Sequence, residues 1–212
     1  MELICIHNMQ QIDQQSAWNK VLEVRNSVHG WTFEDKSRYM FDVVLETKPS
    51  LVVEVGVWLG LSLSSFCAAS LITNTKVVAI DPWSAVAMAE NGYNANLGSS
   101  QEELDKIAID FKENFKARGL DENMSIIRKT SLDASFDFSD ESIDILHLDG
   151  AHTEWDSSRD LIAWTPKIKT GGLFIMDDAN WNEMQLCQTL ALKKYEHVMY
   201  LENGKTRVFR KK

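Results

Sequence analysis

The sequence predicts an α/β fold, a doubly wound sheet of mostly parallel strands with helices on both faces. Two short apolar runs, Ile143 to Leu148 and Leu173 to Met176, have the composition of inner strands in a parallel sheet. Residues 154–164 between them have helical spacing, with Thr153 as the N-cap and with Leu161, Ile162 and Trp164 on the inner side of the helix. A crossover of this length makes the two strands parallel. Leu51 to Gly56 begins a similar unit, because this apolar run passes through a glycine turn into an apolar helix.

The remaining elements follow from the same patterns. With 212 residues, 44% of them hydrophobic, the chain can bury one good core and is predicted to form one structural domain. Residues 1–48 are predicted as an N-terminal helical cover broken at Gly30-Trp31-Thr32, and residues 49–212 as the main α/β region. The cover either only shields the sheet or also forms a wall of a pocket.

Further along the chain we predict a helix over Leu61 to Ile72, a strand over Lys76 to Ile80, a loop or broken helix over Ser84 to Ser100, a helix over Gln101 to Arg118, a strand over Met124 to Ile127, a helix over Asn182 to Lys193, and an antiparallel hairpin of Tyr195 to Tyr200 and Thr206 to Arg210.

Composition and charge exclude several classes of function. The net charge of −9 provides no basic stripe for a phosphate backbone, so nucleic acid is not a predicted partner. The N-terminus lacks the basic region and long apolar core of a signal peptide, which predicts a cytoplasmic location. Leu51 to Ile72 carries a single charge, but its glycines and serines predict a strand followed by a helix and not a membrane span.

Acidic residues follow both strands of the central unit. The first strand ends at Asp149, and the second ends at Asp177 and Asp178. Because the carboxyl ends of parallel strands share one edge, the three carboxylates are predicted to lie close together, where open sheets bind ligands. Such crowding requires a cation, a bound proton or a positively charged ligand to compensate the charge.

The turn after the first strand is typical of a ligand-binding strand, turn and helix. Its glycines, Gly56 and Gly60, have the spacing Gly-x-x-x-Gly, which differs from the dinucleotide and P-loop motifs. Glu54, just before the turn, favours a cationic or amino-bearing ligand. Asp81, at the end of the next strand, suits the two hydroxyls of a ribose, and Trp83 beside it offers a stacking face for a base. The alternatives are that Asp81 caps a turn and that Trp83 belongs to the core.

These features occur in one order along the chain: the helical cover, Glu-x-Gly-x-x-x-Gly, Asp-Pro-Trp, Asp-Gly-x-His, Gly-Gly, Asp-Asp and the final hairpin. The set covers about residues 30–212 and resembles the class I S-adenosylmethionine-dependent methyltransferases. Within that class, Asp-Gly-x-His and Asp-Asp resemble the small-molecule O-methyltransferases of methyltransferase family 24, which include catechol and macrocin types. The resemblance implies a Rossmann-like seven-stranded sheet and methyl transfer to a hydroxyl of a sugar, a phenol or a natural product.

The resemblance also implies roles for individual residues. The methionine part of S-adenosylmethionine lies against the glycine turn, the ribose against Asp81, the adenine against Trp83 and Ser131, and the sulfonium faces Asp149. By the same resemblance, Asp149, Asp177 and Asp178 hold magnesium, for which carboxylate oxygens are suitable ligands. The full predicted cofactor-binding set is Glu54, Gly56, Trp58, Gly60, Ser62, Asp81, Trp83, Ser131 and Asp149.

His152 and Asp149 are the predicted catalytic residues. His152 occupies the position at which the catechol enzymes carry a lysine base, so it is the candidate general base. The alternatives for His152 are a metal ligand, a side chain that orients a carboxylate, and a structural residue. Three other interpretations of the chain stay open: a metal-independent methyltransferase, a non-catalytic cofactor-binding module and a nicotinamide dehydrogenase. The predicted partner is a small-molecule acceptor, and a homo-oligomer is compatible with every interpretation.

Overall fold

Helices flank both faces of a seven-stranded sheet in the computed structural model, which describes residues 12–90, 100–150 and 152–212. The strands are β1 (Leu51–Val55), β2 (Lys76–Ile80), β3 (Met124–Ile127), β4 (Ile143–Leu148), β5 (Ile168–Met176), β6 (Tyr195–Leu201) and β7 (Thr206–Lys211). The helices are α1 (Gln14–Ser27), α2 (Glu34–Thr47), α3 (Leu63–Thr73), α4 (Ala85–Glu90), α5 (Gln101–Ala117), α6 (Ser131–Ser135), α7 (Glu154–Trp164) and α8 (Gln185–Lys194).

The strands are ordered β3-β2-β1-β4-β5-β7-β6, and neighbouring strands are parallel except where β7 pairs with β5 and β6. The carboxyl ends of β1 to β5 therefore meet at one edge of the sheet. β6 and β7 form the antiparallel hairpin predicted around Asn203-Gly204, and both turn residues have positive φ. The predicted fold class, a doubly wound and mostly parallel sheet with a C-terminal antiparallel hairpin, is confirmed.

Two hydrophobic cores lie on opposite faces of this sheet. Val52 and Ile145 face the core that is shared with α1, α2, α3 and α5. Val53 and Leu146, the next residues along the same strands, face the core that is shared with α7 and α8. Successive side chains of a strand point to opposite faces, so a strand buried on both sides must be apolar throughout.

Helices α1 and α2 form the N-terminal cover as far as the structure describes it. Asp13 caps α1 by accepting a hydrogen bond from the backbone N–H of Ser16 at 2.8 Å. Both helices pack against α3, and Val21 of α1 and Phe41 of α2 are fully buried. Residues 1–11 of the predicted cover lie outside the described residues.

Helix α7 has the predicted bounds and the predicted cap. The Thr153 hydroxyl oxygen accepts a hydrogen bond from the backbone N–H of Asp156 at 3.1 Å. Leu161 and Trp164 are buried as expected. The prediction that Ile162 also faces inward is wrong, since 65% of this residue is exposed on the opposite side of the helix from Trp164.

Two further elements differ from the prediction in where they begin. Strand β5 begins at Ile168, five residues before Leu173, and passes through Gly171 at φ +79°. Helix α8 begins only after a short 3₁₀ turn over Asn182–Met184. The predicted loop or broken helix between Ser84 and Ser100 contains α4, while residues 91–99 of it lie outside the described residues.

The apolar stretch from Leu51 to Ile72 is strand β1 followed by a turn and helix α3, as predicted. Within the described ranges, no helix combines the length and the apolar composition that crossing a bilayer requires.

Candidate functional site

A cavity of about 950 Å³ lies at the carboxyl edge of the sheet. Its wall consists of residues that follow β1 to β5, together with the loop between α1 and α2. A cavity of this size can enclose a small organic ligand. Most of the predicted site residues line it, namely Gly56, Trp58, Ser62, Asp81, Trp83, Ser131, Asp149, His152, Asp177 and Asp178.

Gly56 allows the end of β1 to approach the end of β4 very closely. The backbone N–H of Asp149 donates to the carbonyl oxygen of Val55 at 2.8 Å. Gly56 has φ +87°, and a Cβ at this position would lie 2.0 Å from the carbonyl oxygen of Asp149. Glycine is therefore required here by packing between two strands, independently of any ligand.

Asp81, the predicted ribose ligand, also organises the glycine turn. Its Oδ2 accepts the backbone N–H groups of Val57 at 3.0 Å and Trp58 at 2.9 Å, and its Oδ1 accepts that of Trp83 at 2.8 Å. Burial raises the pKa of Asp81 above its usual value, and the three N–H groups partly offset this. The turn-capping alternative is thus realised, yet the carboxylate also borders the cavity and retains lone pairs for a ligand hydroxyl.

Trp83 is a core residue at the cavity wall. Only 2% of it is exposed, and its ring stacks on Phe111 with centroids 5.6 Å apart. Its indole N–H donates to the carbonyl oxygen of Trp58 at 3.1 Å. The structure favours the core alternative for Trp83, and adenine stacking stays a prediction for the part of the indole that borders the cavity.

Glu54 and Gly60 are not among the residues that line the cavity, and their predicted place around the methionine part of the cofactor stays a prediction. Glu54 is fully buried, and its Oε1 accepts the hydroxyl of Ser62 at 2.6 Å. Gly60 has φ +80°, and a Cβ there would meet two phenylalanine rings of α5 at 2.6–2.7 Å. Glu54 therefore holds Ser62, which lines the cavity, and Gly60 packs against α5.

Tryptophan rings contribute to the cavity wall at exposed positions. Trp31, in the loop between α1 and α2, stacks on Trp58 with centroids 5.2 Å apart and planes inclined by 24°. The ring of Trp181 packs against the imidazole of His152 with centroids 5.2 Å apart, and Trp155 is largely exposed. Flat aromatic surfaces of this kind suit the face of an organic ring.

The three predicted metal ligands gather at the cavity but do not form a single cluster. Ligand atoms of Asp149, His152 and Asp178 lie within 4.8 Å of one another. Asp149 and Asp177 form a separate group of the same size with His147, which is fully buried in β4. Asp149 is therefore shared between two groups, and burial together with Asp177 raises its pKa to about 6.

His152 is paired with carboxylates. Its Nε2 lies 2.6 Å from Oδ2 of Asp178 and 3.6 Å from Oδ1 of Asp149. Burial lowers the pKa of His152, but the two carboxylates outweigh burial and raise the pKa to about 10. His152 is therefore an imidazolium in this arrangement, and the geometry matches the alternative in which it orients a carboxylate.

Lys36 of α2 belongs to the site, although no motif in the sequence marks it. Its Nζ is fully buried and lies 2.8 Å from Oδ2 of Asp177 and 3.9 Å from Oε2 of Glu202. The Thr206 hydroxyl donates to Oδ1 of Asp177 at 2.7 Å. Burial alone would raise the pKa of Asp177, but the Lys36 ammonium holds that pKa well below its usual range.

These contacts decide which carboxylates fit a metal ion. Both oxygens of Asp177 already bond protein groups, Lys36 and Thr206. Oδ1 of Asp178 is buried without a hydrogen-bond partner in the part of the chain that is described, with the Lys205 ammonium 3.6 Å away. Asp149 and Asp178, with His152 beside them, therefore fit a divalent cation better than the predicted set that includes Asp177.

Comparison with known proteins identifies a curated relative of part of the chain. Over 138 residues it is 26% identical to the uncharacterized protein y4gI of Sinorhizobium fredii (strain NBRC 101917 / NGR234). The matched region is 64% of this chain but only 14% of the length of that protein.

Three similar solved structures share the fold. A methyltransferase from Geobacter sulfurreducens has 15% identity and a TM-score of 0.62, covering 96% of this chain and 92% of that one. SAH-bound PaMTH1 from Podospora anserina has 11% identity and a TM-score of 0.65, with coverages of 97% and 91%. The O-methyltransferase from Bacillus cereus in complex with SAH has 11% identity and a TM-score of 0.65, with coverages of 96% and 94%.

A family model described as a methyltransferase domain matches residues 53–179, more than half of the chain. This match spans the glycine turn, Asp81, and all three acids at the ends of β4 and β5. The family predicted from the ordered motifs is confirmed: the chain belongs to the methyltransferase domain family.

Proposed function

We propose that this chain uses S-adenosylmethionine to methylate a hydroxyl group of a small molecule. The observation that carries the proposal is a single cavity in which Asp81 and Ser131 meet a second group, Asp149, His152 and Asp178. Membership of the methyltransferase domain family supports methyl transfer. The SAH bound in the Podospora anserina and Bacillus cereus structures supports the choice of cofactor.

The two groups of residues divide the cavity between cofactor and acceptor. Asp81 is placed at the end of β2, where a carboxylate can accept hydrogen bonds from both ribose hydroxyls. The turn at Gly56 then lies along the methionine part of the cofactor. Asp149, whose carbonyl oxygen touches Gly56, faces the sulfonium, and its negative charge favours that cation over an anionic ligand.

Methyl transfer requires the acceptor oxygen to lie in line with the sulfur–methyl bond. The oxygen attacks the methyl carbon, the sulfur–methyl bond breaks, and S-adenosylhomocysteine leaves as a neutral thioether. In the metal-free site the hydroxyl proton passes to the Asp149 carboxylate, whose raised pKa of about 6, caused by burial and by Asp177, suits a base near neutral pH. His152, protonated beside Asp178, holds the two carboxylates in position.

We propose magnesium as an additional cofactor, held by Asp149 and Asp178. Oδ1 of Asp178 supports this assignment, because it is buried and has an ammonium group 3.6 Å away but no hydrogen-bond partner among the described residues. When bound, magnesium lowers the pKa of a coordinated hydroxyl and fixes its direction. The alternative is a metal-independent methyltransferase, favoured by the two ammonium groups of Lys36 and Lys205 within 3.8 Å of Asp177.

The proposed acceptor contains a ring and carries no large negative charge. The acids of the cavity wall and the net charge of −9 disfavour a polyanion such as nucleic acid. Trp31, Trp155 and Trp181 along the wall favour the face of a phenol or a sugar. A cytoplasmic location and a homo-oligomer stay predictions.

Calorimetric titration tests the cofactor. We expect S-adenosylhomocysteine to bind with a stoichiometry of about one per chain and NAD not to bind, because the glycine spacing and the acidic wall disfavour a pyrophosphate. Binding of NAD without binding of S-adenosylhomocysteine would instead support the dehydrogenase interpretation.

Turnover is tested with S-adenosylmethionine and a panel of phenols and sugars, with magnesium or with excess chelator. Asp149→Asn should lower turnover by at least about 100-fold, since general base catalysis typically contributes this much. Asp110→Asn, on the exposed face of α5, is the control and should keep full turnover. Full turnover by Asp149→Asn would refute its role, and S-adenosylhomocysteine binding with no turnover on any acceptor would favour a non-catalytic module.

The metal is tested in the same assay. Loss of turnover in chelator and its recovery with magnesium would support the metal-assisted form, and unchanged turnover would select the metal-independent alternative. Asp178→Asn is the informative variant, because changing Asp177 would also leave the Lys36 ammonium without its buried partner.

A further inference from the structure

Lys205, between β6 and β7, carries an ammonium group that lies beside the acids of the cavity. Its Nζ is 3.6 Å from Oδ1 of Asp178 and 3.8 Å from Oδ2 of Asp177. The residue borders the cavity, and 21% of its side chain is exposed. The backbone N–H of Ala179 donates to the carbonyl oxygen of Lys205 at 2.6 Å, which fixes the lysine backbone next to Asp178. The proposed methyl transfer gives this ammonium no role.

Asp178, and not Asp177, is the carboxylate that lacks another partner for the oxygen near Lys205. The Lys36 ammonium lies 2.8 Å from Oδ2 of Asp177, and the Thr206 hydroxyl donates to Oδ1 at 2.7 Å. Oδ1 of Asp178 is buried and accepts no hydrogen bond from the described part of the chain. A charge-assisted hydrogen bond would bring the Lys205 ammonium to about 2.7–2.9 Å. At 3.6 Å the ammonium compensates the charge of Asp178 but does not occupy the lone pairs of Oδ1.

The Lys205 ammonium also has an anchor that does not depend on Asp178. An ammonium has three N–H donors, and one of them donates to the carbonyl oxygen of Trp31 at 3.3 Å. This carbonyl belongs to the loop between α1 and α2. Because the lysine stem has four carbon atoms and is flexible, the ammonium can withdraw from the carboxylate and stay bound to the loop.

We propose that the Lys205 ammonium and a divalent cation compete for Asp178, an assignment that rests on the magnesium site of the proposed function. A divalent ion on this carboxylate and an ammonium within a few ångströms repel each other. The lysine therefore lowers the affinity of the site for magnesium and compensates Asp178 when the metal is absent. Lys205 lies outside residues 53–179, so the family match does not account for it.

Calorimetric titration of the full-length chain with magnesium chloride at neutral pH and constant ionic strength tests the proposal. Lys205→Met removes the charge and keeps most of the apolar stem, so this variant should bind magnesium at least about tenfold more tightly than the wild type. Lys205→Gln, a second neutral variant, should behave in the same way. Lys205→Arg keeps the charge and should bind magnesium within about threefold of the wild type.

Lys129→Met is the matched control. Lys129 also lines the cavity, so the variant loses the same charge, but its Nζ bonds both carboxylate oxygens of Asp137 at 2.6–2.8 Å. Its magnesium affinity should change by less than about threefold, since this pair is largely exposed. In the Asp178→Asn background, Lys205→Met should no longer tighten binding, because the two residues act on the same ion. Circular dichroism should show that each variant is folded.

Two results overturn the proposal. One is an equal magnesium affinity of the wild type and of the folded neutral variants at position 205, and the other is an equal gain in the arginine variant, which would show that the charge is not the cause. Absence of magnesium binding by every chain also overturns it and selects the metal-independent alternative. Titration of the same wild-type sample with S-adenosylhomocysteine separates these failures from that of the proposed function, which is refuted only if this ligand does not bind.

Discussion

A buried lysine compensates part of the acidic cluster from within the protein. Lys36 reaches Asp177 from α2, and both side chains are almost completely shielded from solvent. Burial lowers the pKa of Lys36, but Asp177, Asp149 and Glu202 outweigh burial and raise the pKa above its usual value. The ammonium therefore stays charged, and the pair stabilises the fold only while both partners are present.

Replacing Lys36 with methionine should lower the free energy of unfolding by about 3–5 kcal/mol, the typical effect of leaving one buried charge without its partner. The double variant Lys36→Met/Asp177→Asn should recover part of this loss, because the uncompensated carboxylate is then removed. Urea denaturation of the three chains at neutral pH measures both effects.

Arg38→Met is the control on the same helix. Arg38 pairs with Asp42, but the two side chains are 49% and 37% exposed. The free energy of unfolding should therefore fall by less than about 1 kcal/mol. Equal stabilities of the Lys36 and Arg38 variants would contradict a structural role for the buried pair.

At the level of residues, the sequence predicted the acids at strand ends and missed the charges on helices. Lys36 lies four and eight residues before Met40 and Val44, which are buried on the same face of α2. Asp160 similarly lies four residues before the buried Trp164. In both helices the sequence shows a charged residue at the helical spacing of the buried apolar residues. Such residues are usually solvated, so only their neighbours in space show what they contact.

Among the elements, the turn after β1 shows what a motif can and cannot indicate. The sequence predicts the strand, the glycine turn and the helix, because each leaves a local pattern. The motif suggests that the glycines are needed for a bound ligand. The structure shows that Gly56 also contacts the backbone of Asp149, which follows β4. These residues are distant in the sequence, so the second requirement on Gly56 depends on strand order and cannot be derived from spacing.

Gly56→Ala should therefore destabilise the protein by about 2–5 kcal/mol, the sum of a left-handed backbone conformation and an overpacked contact. It should also abolish binding of S-adenosylhomocysteine, because the ends of β1 and β4 must separate to accommodate the methyl group. Urea denaturation and calorimetry measure the two effects.

Gly119→Ala separates these two causes. Gly119 has a similarly positive φ of +62°, but a Cβ there would meet no atom within 4 Å. The free energy of unfolding of this variant should fall by only about 1–2 kcal/mol, and the variant should bind S-adenosylhomocysteine normally. Comparable losses in the two variants would show that backbone conformation alone, and not the contact with β4, restricts residue 56 to glycine.

The start of α2 also contacts the hairpin turn, and no sequence pattern predicts this contact. The backbone N–H of Phe33 donates to Oε1 of Glu202 at 2.5 Å, and the backbone N–H of Glu202 donates to Oδ2 of Asp35 at 2.9 Å. Glu202 has φ +51°, which this pair of hydrogen bonds holds in place. The residues come from opposite ends of the chain, and no local pattern links them.

Across the whole molecule, the region that matches the family does not contain the complete site. The match covers residues 53–179 and leaves α1, α2 and the final hairpin outside. Lys36 and Thr206, which bond Asp177, come from these outer elements. The sequence predicted the α/β region and the helical cover separately, but not that the cover supplies a buried charge to the acidic cluster.

A chain that begins at Pro49 should therefore fail to show a cooperative unfolding transition in urea and should not bind S-adenosylhomocysteine. Truncation removes the apolar residues of α1 and α2 that cover α3, and it removes the ammonium that compensates Asp177. The full-length Lys36→Met variant separates these effects, since it loses the charge but keeps the apolar cover. A truncated chain that unfolds cooperatively near the midpoint of the full chain would show that residues 1–48 form a separate unit, contrary to the single domain predicted here.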